Sequence, residues 1–388
     1  MFFKKISLKN FRNYTELELE PHAKINVFVG HNAQGKTNLL ESLYILSSSK
    51  SFRIKDESEL IRWDCNFTEI DSWLQSDDCF DKRISIRWLQ EGRSLERKIF
   101  KDDSPLKRVK DLLPEVPLTL FVPGDLALIQ AGPIMRRRFL DVLLCKISRE
   151  YCDNLYNYQK VLHQRNKFLH LYVRGTDREV SLENKHRDIL DVLNEQLVDF
   201  GSRVILERLK ILETLQNIIA EFYNYLSADE IELNLSYICK FPKNALNKEE
   251  AGEISYLKKV FAESLEKNYR QDLYNKSTQV GPHRDDFLIK AKDYDLRLFA
   301  SQGQQRSLAL AMRLAEAKIM SLQFGEEAII LLDDCLSELD ENRSNLLLKY
   351  LLSLGQVFLT TTQFSMDNFY GNDNFVFFNV DSGRINRL

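Results

Sequence analysis

The stretch Gly30–Thr37 constrains the fold of this chain more than any other, because it has the form G-x-x-x-x-G-K-T. An apolar run at 25–29 precedes it and residues 38–46 have helical spacing, so the stretch is predicted to join a buried strand to a helix. Such a loop brings backbone N–H groups and the positive end of a helix dipole close to a phosphate group. The residues that we expect to bind nucleotide are Gly30, His31, Asn32, Ala33, Gln34, Gly35, Lys36 and Thr37.

Two side chains at the end of this loop have predicted roles of their own. Lys36 can reach the β- and γ-phosphates, and the Thr37 hydroxyl can ligate Mg²⁺. The alternative is a glycine-rich turn that binds nothing. The strand before the loop and the helix after it favour nucleotide binding.

The acidic residues that such a loop requires follow a second apolar run, at 328–332. Asp333 ends this run and is predicted to hold the metal, while Asp334 points elsewhere and is a candidate general base. Two aspartates that simply begin a loop are the alternative. The long apolar strand before them, in a chain that already has the phosphate loop, favours the metal site.

A third motif stands one helix upstream, where Ser301, Gly303 and Gln304 begin a helix. Alone it would be only a helix cap, since serine is a favoured residue at that position. Because it also offers a hydroxyl, backbone N–H groups and a helix dipole, we expect it to contact an anion.

Composition and charge limit the partners of the chain. Its 388 residues, 44% hydrophobic and 29% charged, are typical of a globular protein with two or three cores. The apolar run at the N-terminus is too short for a signal peptide, and no segment is long enough to span a membrane, so we expect a cytoplasmic protein. The net charge of −3 means that a DNA partner would require a local basic surface. Six cysteines without C-x-x-C spacing indicate neither a zinc site nor a disulfide framework.

Alternation and helical spacing predict the other elements. They are hairpins of 6–11 with 14–19 and of 82–89 with 94–100, a strand at 118–122, one helix over 134–172, a turn at 174–177, a helix over 182–226, a strand at 231–238, a helix over 256–274, a hairpin of 286–291 with 295–300, a helix over 308–322 and strands at 328–334, 356–361 and 375–380. Two long helices joined by a short turn must lie antiparallel, so we expect an inserted helical hairpin. Apolar strands alternating with helices predict an α/β sheet that is covered on both faces.

Together these motifs resemble the ABC-type ATPases, and within them the SMC-like branch that acts in DNA repair. Two segments are specific to that branch, 123–141 and 331–340. The resemblance implies an α/β P-loop ATPase head with an antiparallel β subdomain and an inserted helical lobe that contains a long helical hairpin. We assign 1–122 and 278–388 to the head and 123–277 to the lobe.

The resemblance also implies roles for residues. ATP and Mg²⁺ would lie between Lys36, Thr37 and Asp333 of one subunit and the Ser301, Gly303 and Gln304 motif of a second copy. Arg12 matches an arginine that approaches the nucleotide phosphates, and Asp340 matches the D-loop that meets the second subunit. Members of the branch bind single-stranded and gapped or junction DNA. They work with RecO and RecR, assist the loading of RecA and support the SOS response.

Two departures from the family pattern limit what it implies. Gly124 stands where the family usually has an acidic residue, so the segment from Pro123, to which the resemblance gives a lobe-coupling role, matches the family pattern incompletely. No histidine follows the strand after Asp333, which predicts a slow ATPase rather than a fast one. The resemblance implies that this weak activity is stimulated by DNA and regulates DNA binding.

Several alternatives stay open at this point. Arg136, Arg137 and Arg138 are candidates for a DNA contact, but a contact with an interdomain carboxylate, or plain solvation, would explain them as well. The chain as a whole could instead be the ATPase motor of a membrane transporter. A nucleotide-gated clamp, whose ATP turnover only resets it, is compatible with the DNA-repair hypothesis.

Overall fold

The computed structural model describes residues 1–76, 78, 80–108, 111–113, 115–173, 186–227, 231–242, 245–247, 249–362 and 372–388. Its strands are β1 Phe2–Phe11, β2 Tyr14–Leu19, β3 Ile25–Val29, β4 Phe67–Gln75, β5 Asp81–Glu91, β6 Ser94–Lys101, β7 Ser104–Pro105, β8 Leu118–Phe121, β9 Leu233–Ile238, β10 Asp286–Ala291, β11 Tyr294–Asp295, β12 Ile329–Asp333, β13 Val357–Thr361, β14 Phe375–Asp381 and β15 Arg384–Arg387. Its helices are α1 Lys36–Ser48, α2 Ala127–Gln130, α3 Pro133–Ile147, α4 Arg149–Tyr172, α5 Arg187–Ser227, α6 Ile254–Lys267, α7 Tyr269–Asn275, α8 Leu296–Phe299, α9 Gln302–Phe324 and α10 Glu341–Leu351.

These elements form two compact units. Unit 1 comprises Met1–Leu126, Ile218–Glu230 and Ala300–Leu388, and unit 2 comprises Ala127–Asn217 and Ile231–Phe299. Each unit has hydrophobic residues buried in its own interior.

The predicted α/β sheet is present in unit 1, with the strand order β15-β14-β3-β13-β12-β8. All neighbouring strands are parallel except β15, which pairs antiparallel with β14. In this register Asp333 on β12 lies beside Thr360 on β13, and Thr361 lies beside Val29 on β3. The carboxyl ends of β3, β13 and β12 therefore meet at one edge of the sheet, where a ligand site in an open α/β sheet is expected.

An antiparallel sheet accompanies it in unit 1, with the order β2-β1-β4-β5-β6-β7. The two predicted hairpins are confirmed as β1 with β2 and β5 with β6. The sequence patterns missed β4, which pairs with both β1 and β5. Its buried positions include the polar residues Thr68, Asp71 and Ser72, which interrupt the alternation of apolar residues.

The single helix predicted over 134–172 is wrong, because the chain forms α3 and α4 with Ser148 between them. Ser148 has extended backbone angles, and its hydroxyl accepts a hydrogen bond from the N–H of Tyr151 at 3.1 Å. That bond makes Ser148 the N-cap of α4. Ser148, a polar residue within an apolar helical pattern, was the sequence signal of this break.

The second long helix, α5, has 41 described residues and extends about 60 Å. The predicted turn at 174–177 and the predicted start of this helix at 182 lie outside the described residues. Gly201 does not interrupt α5, which is continuous through it. A Cβ at Gly201 would lie 2.4 Å from the Phe261 ring and 2.9 Å from the Tyr158 ring. Close packing requires glycine at that position.

Two further predictions are corrected. The helix predicted over 256–274 is divided into α6 and α7 at Asn268. The strand predicted at 295–300 is wrong, since β11 has only two residues and the helical turn α8 follows it. The three-stranded sheet of unit 2 has the order β11-β10-β9.

Candidate functional site

The phosphate loop follows β3 and runs into α1 in unit 1. Gly35 has φ +118° at the N-cap of α1, a conformation that favours glycine. The Lys36 ammonium group donates hydrogen bonds to the carbonyls of Gly30 at 2.5 Å and His31 at 2.9 Å. Burial lowers the pKa of Lys36, and the charges of Asp334 and Asp333 oppose that shift. The Lys36 ammonium group is thus held by the first two residues of the loop, close to the carboxylates of Asp333 and Asp334.

Thr37 and Asp333 meet across the sheet edge as predicted. The Thr37 hydroxyl lies 2.9 Å and 3.1 Å from the two carboxylate oxygens of Asp333, and the Thr360 hydroxyl donates to Asp333 at 2.7 Å. Burial raises the pKa of Asp333, while the hydrogen bonds from Thr360 and Thr37 act in the opposite direction. A hydroxyl and a carboxylate are hard oxygen donors, so this pair fits Mg²⁺.

Asp334 adopts a left-handed backbone conformation with φ +48°. Its N–H donates to the Thr360 carbonyl at 3.1 Å. One oxygen of its carboxylate, Oδ1, is buried and finds no hydrogen-bond donor among the described residues. A carboxylate oxygen without a donor keeps its lone pairs free to accept a proton, which is the chemistry required of a general base.

Ser301 is the N-cap of α9 and forms a capping box with Gln304. The Ser301 hydroxyl accepts from the Gln304 N–H at 3.3 Å, and the Gln304 side chain accepts from the Ser301 N–H at 2.9 Å. A Cβ on Gly303 would lie 2.7 Å from the Arg343 guanidinium. Arg343 in turn lies 3.4 Å from the carboxylate of Asp340, the N-cap of α10. Arg343 therefore connects the predicted signature motif with the predicted D-loop, a role that sequence reasoning missed.

Arg12 lies in the β1–β2 turn and is fixed by a buried carboxylate. It donates to the two Glu41 oxygens at 3.0 Å and 2.8 Å, and Glu41 is 0% exposed. Arg53 lies 3.5 Å from the same carboxylate and donates to Asn38 at 2.7 Å. An acidic residue within the apolar pattern of α1 was the only sequence signal for Glu41.

A cleft of about 490 Å³ lies beside the loop in unit 1. It is lined in part by Arg12, Arg53, Arg62 and Trp63. The indole of Trp63 is 91% exposed. The cleft thus combines cationic groups and an accessible aromatic ring next to the residues that follow Thr37.

The three consecutive arginines of α3 have different environments in unit 2. Arg136 is 1% exposed and donates to both oxygens of Asp286 at 2.7 Å and 2.8 Å. Arg137 donates to the Asp285 carbonyl at 2.6 Å, and burial lowers its pKa. Arg138 is exposed. Arg136 therefore pairs with a carboxylate of its own unit, and of these three arginines only Arg138 is exposed.

The segment after β8 contains a carboxylate next to the departure at Gly124. Asp125 is buried and accepts hydrogen bonds from Arg313 of α9 at 2.5 Å and 3.1 Å. It also accepts from the Val122 N–H at 2.9 Å. Asp125 therefore ties the turn after β8 to α9, and the sequence analysis did not single it out.

A largely parallel sheet carries a phosphate loop at the end of β3 and, two strands along, the carboxylate of Asp333 in contact with the Thr37 hydroxyl. This arrangement defines an ABC-type P-loop ATPase head. More narrowly, the chain belongs to the family described as the RecF/RecN/SMC N terminal domain, whose sequence profile matches residues 2–383.

Relatives at full length are named DNA replication and repair protein RecF. The chain is 35% identical over 388 residues to the Clostridium botulinum (strain ATCC 19397 / Type A) protein, with 100% of both chains covered. It is 36% identical to the Clostridium tetani protein, with 99% of both covered, and 38% identical to the Oenococcus oeni protein, with 94% of both covered. Relatives with these names do not favour the transporter-motor alternative. No helix in the described part of the chain has the length and apolarity needed to cross a bilayer.

Solved structures give the same result. The chain is similar to the recombination mediator protein RecF with ATP in the RecFOR pathway, with a TM-score of 0.86, 32% identity and coverage of 100% of this chain and 97% of that chain. For the complex described as RecF-ATPrS the TM-score is 0.85 at 32% identity, with 100% and 98% covered. An Smc head bound to ScpA matches at a TM-score of 0.54 and 15% identity, with 100% of this chain and 97% of that chain covered, and shares the fold alone.

Proposed function

We propose that this protein is an ATP-dependent DNA-binding protein of recombinational repair and replication-gap processing. In this proposal it binds single-stranded and gapped or junction DNA as an ATP-bound dimer and hydrolyses ATP slowly. The contact of Thr37 with Asp333, at 2.9 Å, supports it most, because it joins the two halves of a triphosphate site in a relative of RecF.

The residues of one subunit would have separate roles at the nucleotide. Lys36 and the loop N–H groups would hold the phosphates, Thr37 and Asp333 would hold Mg²⁺, and Asp334 would accept the proton of the attacking water. When bound, Mg²⁺ neutralises charge on the β- and γ-phosphates. Arg12, fixed by Glu41, is positioned by the β1–β2 turn for a phosphate contact.

The second subunit would cover the nucleotide with Ser301, Gly303 and Gln304 and approach through Asp340. The capping box leaves these residues at an accessible helix start, and Arg343 links them to Asp340. ATP binding would thereby bring two subunits together, and the dimer would bind DNA.

The pathway is proposed from the relatives. Two similar structures are described as RecF in the RecFOR pathway. We extend this to RecO and RecR as partners, to assistance of RecA loading and to support of the SOS response.

Size-exclusion chromatography with and without Mg-ATP and gapped DNA tests the proposal. We expect ATP to shift the wild-type protein to a dimer. Lys36→Met should abolish ATP binding, whereas Ser301→Arg should bind ATP but remain monomeric. A wild-type protein that stays monomeric at saturating Mg-ATP and DNA, or two variants that dimerise equally well, would contradict the shared site.

A further inference from the structure

The phosphate loop of unit 1 contacts the turn between β14 and β15, near the end of the chain. We propose that this C-terminal turn, residues 381–384, is a positioning element that orders the phosphate loop for nucleotide binding. The inference rests on the proposed function, since it concerns the same loop. The C-terminal turn would support that loop from outside the nucleotide-binding motifs.

Three donors of the C-terminal turn converge on one loop residue, Gln34. The Ser382 N–H donates to the Gln34 side-chain oxygen at 2.6 Å, and the Ser382 hydroxyl donates to the same oxygen at 3.2 Å. The Gly383 N–H donates to the Gln34 backbone carbonyl at 3.0 Å. Both the side chain and the main chain of Gln34 are therefore fixed.

Asn13 of the β1–β2 turn contacts the same loop residue. Its amide donates to the Gln34 carbonyl at 3.0 Å, and its side-chain oxygen accepts from Asn38 of α1 at 2.8 Å. The Gln34 carbonyl thus receives two hydrogen bonds, one from each turn.

The packing between these segments leaves no space for a methyl group. A Cβ on Gly383 would lie 2.6 Å from the Asn13 carbonyl oxygen, and one on Gly30 would lie 2.3 Å from the Val380 carbonyl oxygen. Because both obstacles are backbone atoms, a larger residue would require the segments to move apart. The C-terminal turn is therefore packed closely against the Asn13 turn, and the first residue of the phosphate loop is packed closely against the end of β14.

The loop needs such support because its backbone is unusual. Ala33 and Gly35, on either side of Gln34, have φ +65° and +118°. A loop that has to point its N–H groups at a phosphate binds more tightly when that conformation is fixed before the ligand arrives. The Gln34 side chain is directed to Ser382, so its role is to position the loop rather than to bind phosphate itself.

Isothermal titration of Mg-ATP into the full chain tests the inference. Gln34→Met removes the side-chain acceptor with little change of volume. Gly383→Ala is strained at its φ of +76° and forces residue 383 away from the Asn13 backbone, which disturbs the two donors of the Gln34 carbonyl. We expect each to weaken ATP binding about three- to tenfold, the loss of one or two net hydrogen bonds. The double variant should resemble the weaker-binding single variant. Ser382→Ala is the graded comparison: it removes only the longest of the three hydrogen bonds and keeps both N–H donors, so it should weaken ATP binding less than either of these variants.

Amide hydrogen exchange of residues 30–37 without nucleotide gives a readout that does not depend on ATP. Both variants should exchange faster in the loop, while their thermal midpoints stay close to that of the wild type; if Gly383→Ala proves unstable, Gln34→Met decides. Wild-type binding of Mg-ATP together with unchanged affinity and exchange in Gln34→Met would overturn this inference alone. A wild-type protein that fails to bind Mg-ATP would overturn the proposed function, and the inference with it.

Discussion

At the scale of single residues, the buried, unpaired oxygen of Asp334 leads to a specific prediction about ATP turnover. Asp334→Asn keeps the size of the side chain but cannot accept a proton, so the ATP-bound dimer should persist while turnover falls about a hundredfold or more. Phosphate release and size-exclusion chromatography measure the two effects separately. Asp103→Asn, at an exposed turn, should leave both unchanged. Unchanged turnover in Asp334→Asn would assign the general base to another group.

Asp285 in unit 2 predicts a pH dependence of stability. Burial raises its pKa from 3.8 to about 7, although the Tyr237 hydrogen bond and the charges of Arg208 and Arg137 lower it. The unfolded chain releases this proton near pH 3.8 and the folded chain only near pH 7, so the folded state binds more protons in between. Stability is therefore present below that window and is lost as the pH rises through it.

Asp285→Asn replaces the carboxyl group with an amide that does not titrate. We expect its free energy of unfolding in urea to exceed that of the wild type by about 2–4 kcal/mol near pH 8, and the difference to shrink toward pH 4. Asp293→Asn, exposed in the β10–β11 turn of the same unit, should follow the wild type at every pH. An offset of Asp285→Asn that is the same at both pH values would show that its carboxylate does not titrate in this window.

At the scale of elements, the break between α3 and α4 depends on one cap. Ser148→Ala removes the acceptor for the Tyr151 N–H and should lower the free energy of unfolding by about 1 kcal/mol. Ser148→Asp keeps an acceptor at the same place and should recover most of the loss. Chemical denaturation measures both variants. Equal stability of Ser148→Ala and the wild type would indicate that packing alone separates the two helices.

The same break shows what sequence patterns can predict for elements. Strands β3, β12 and β13 and helix α1 were predicted because apolar runs and the phosphate-loop motif specify them locally. β4 was missed because its buried positions include Asp71 and Ser72, whose burial depends on neighbouring strands. A pattern that reads only apolar spacing cannot detect an element with buried polar residues.

The residues of the candidate site also fall into those that the sequence predicts and those that it does not. Lys36, Thr37 and Asp333 were predicted because each belongs to a motif whose spacing reflects its chemistry. Glu41 and Arg343 were missed, since the contacts of Glu41 with Arg12 and of Arg343 with Gly303 join residues that are distant in sequence. Residues that hold functional groups in place therefore need the structure, whereas residues of the phosphate and metal motifs can be read from the sequence.

At the scale of the whole molecule, a net charge of −3 and a proposed DNA partner together require a local basic surface. The arginines of α3 make this testable, because Arg138 is exposed while Arg136 is buried against Asp286. We expect ATP-dependent binding to gapped DNA to weaken steeply with salt. Arg138→Ala should reduce the slope of log affinity against log salt by about one, as for the loss of one phosphate contact.

Arg136→Ala distinguishes a surface contact from an interior one. It removes the two hydrogen bonds to the half-buried Asp286 carboxylate, which keeps Arg297 at 3.7 Å, so it should lower the free energy of unfolding by about 2–3 kcal/mol. The protein that stays folded should keep the wild-type salt slope. Fluorescence anisotropy of labelled gapped DNA over a salt series, with urea unfolding in parallel, separates the two variants. If Arg138→Ala keeps the full slope, the basic surface lies elsewhere; if wild-type binding does not depend on salt, phosphate contacts do not drive it.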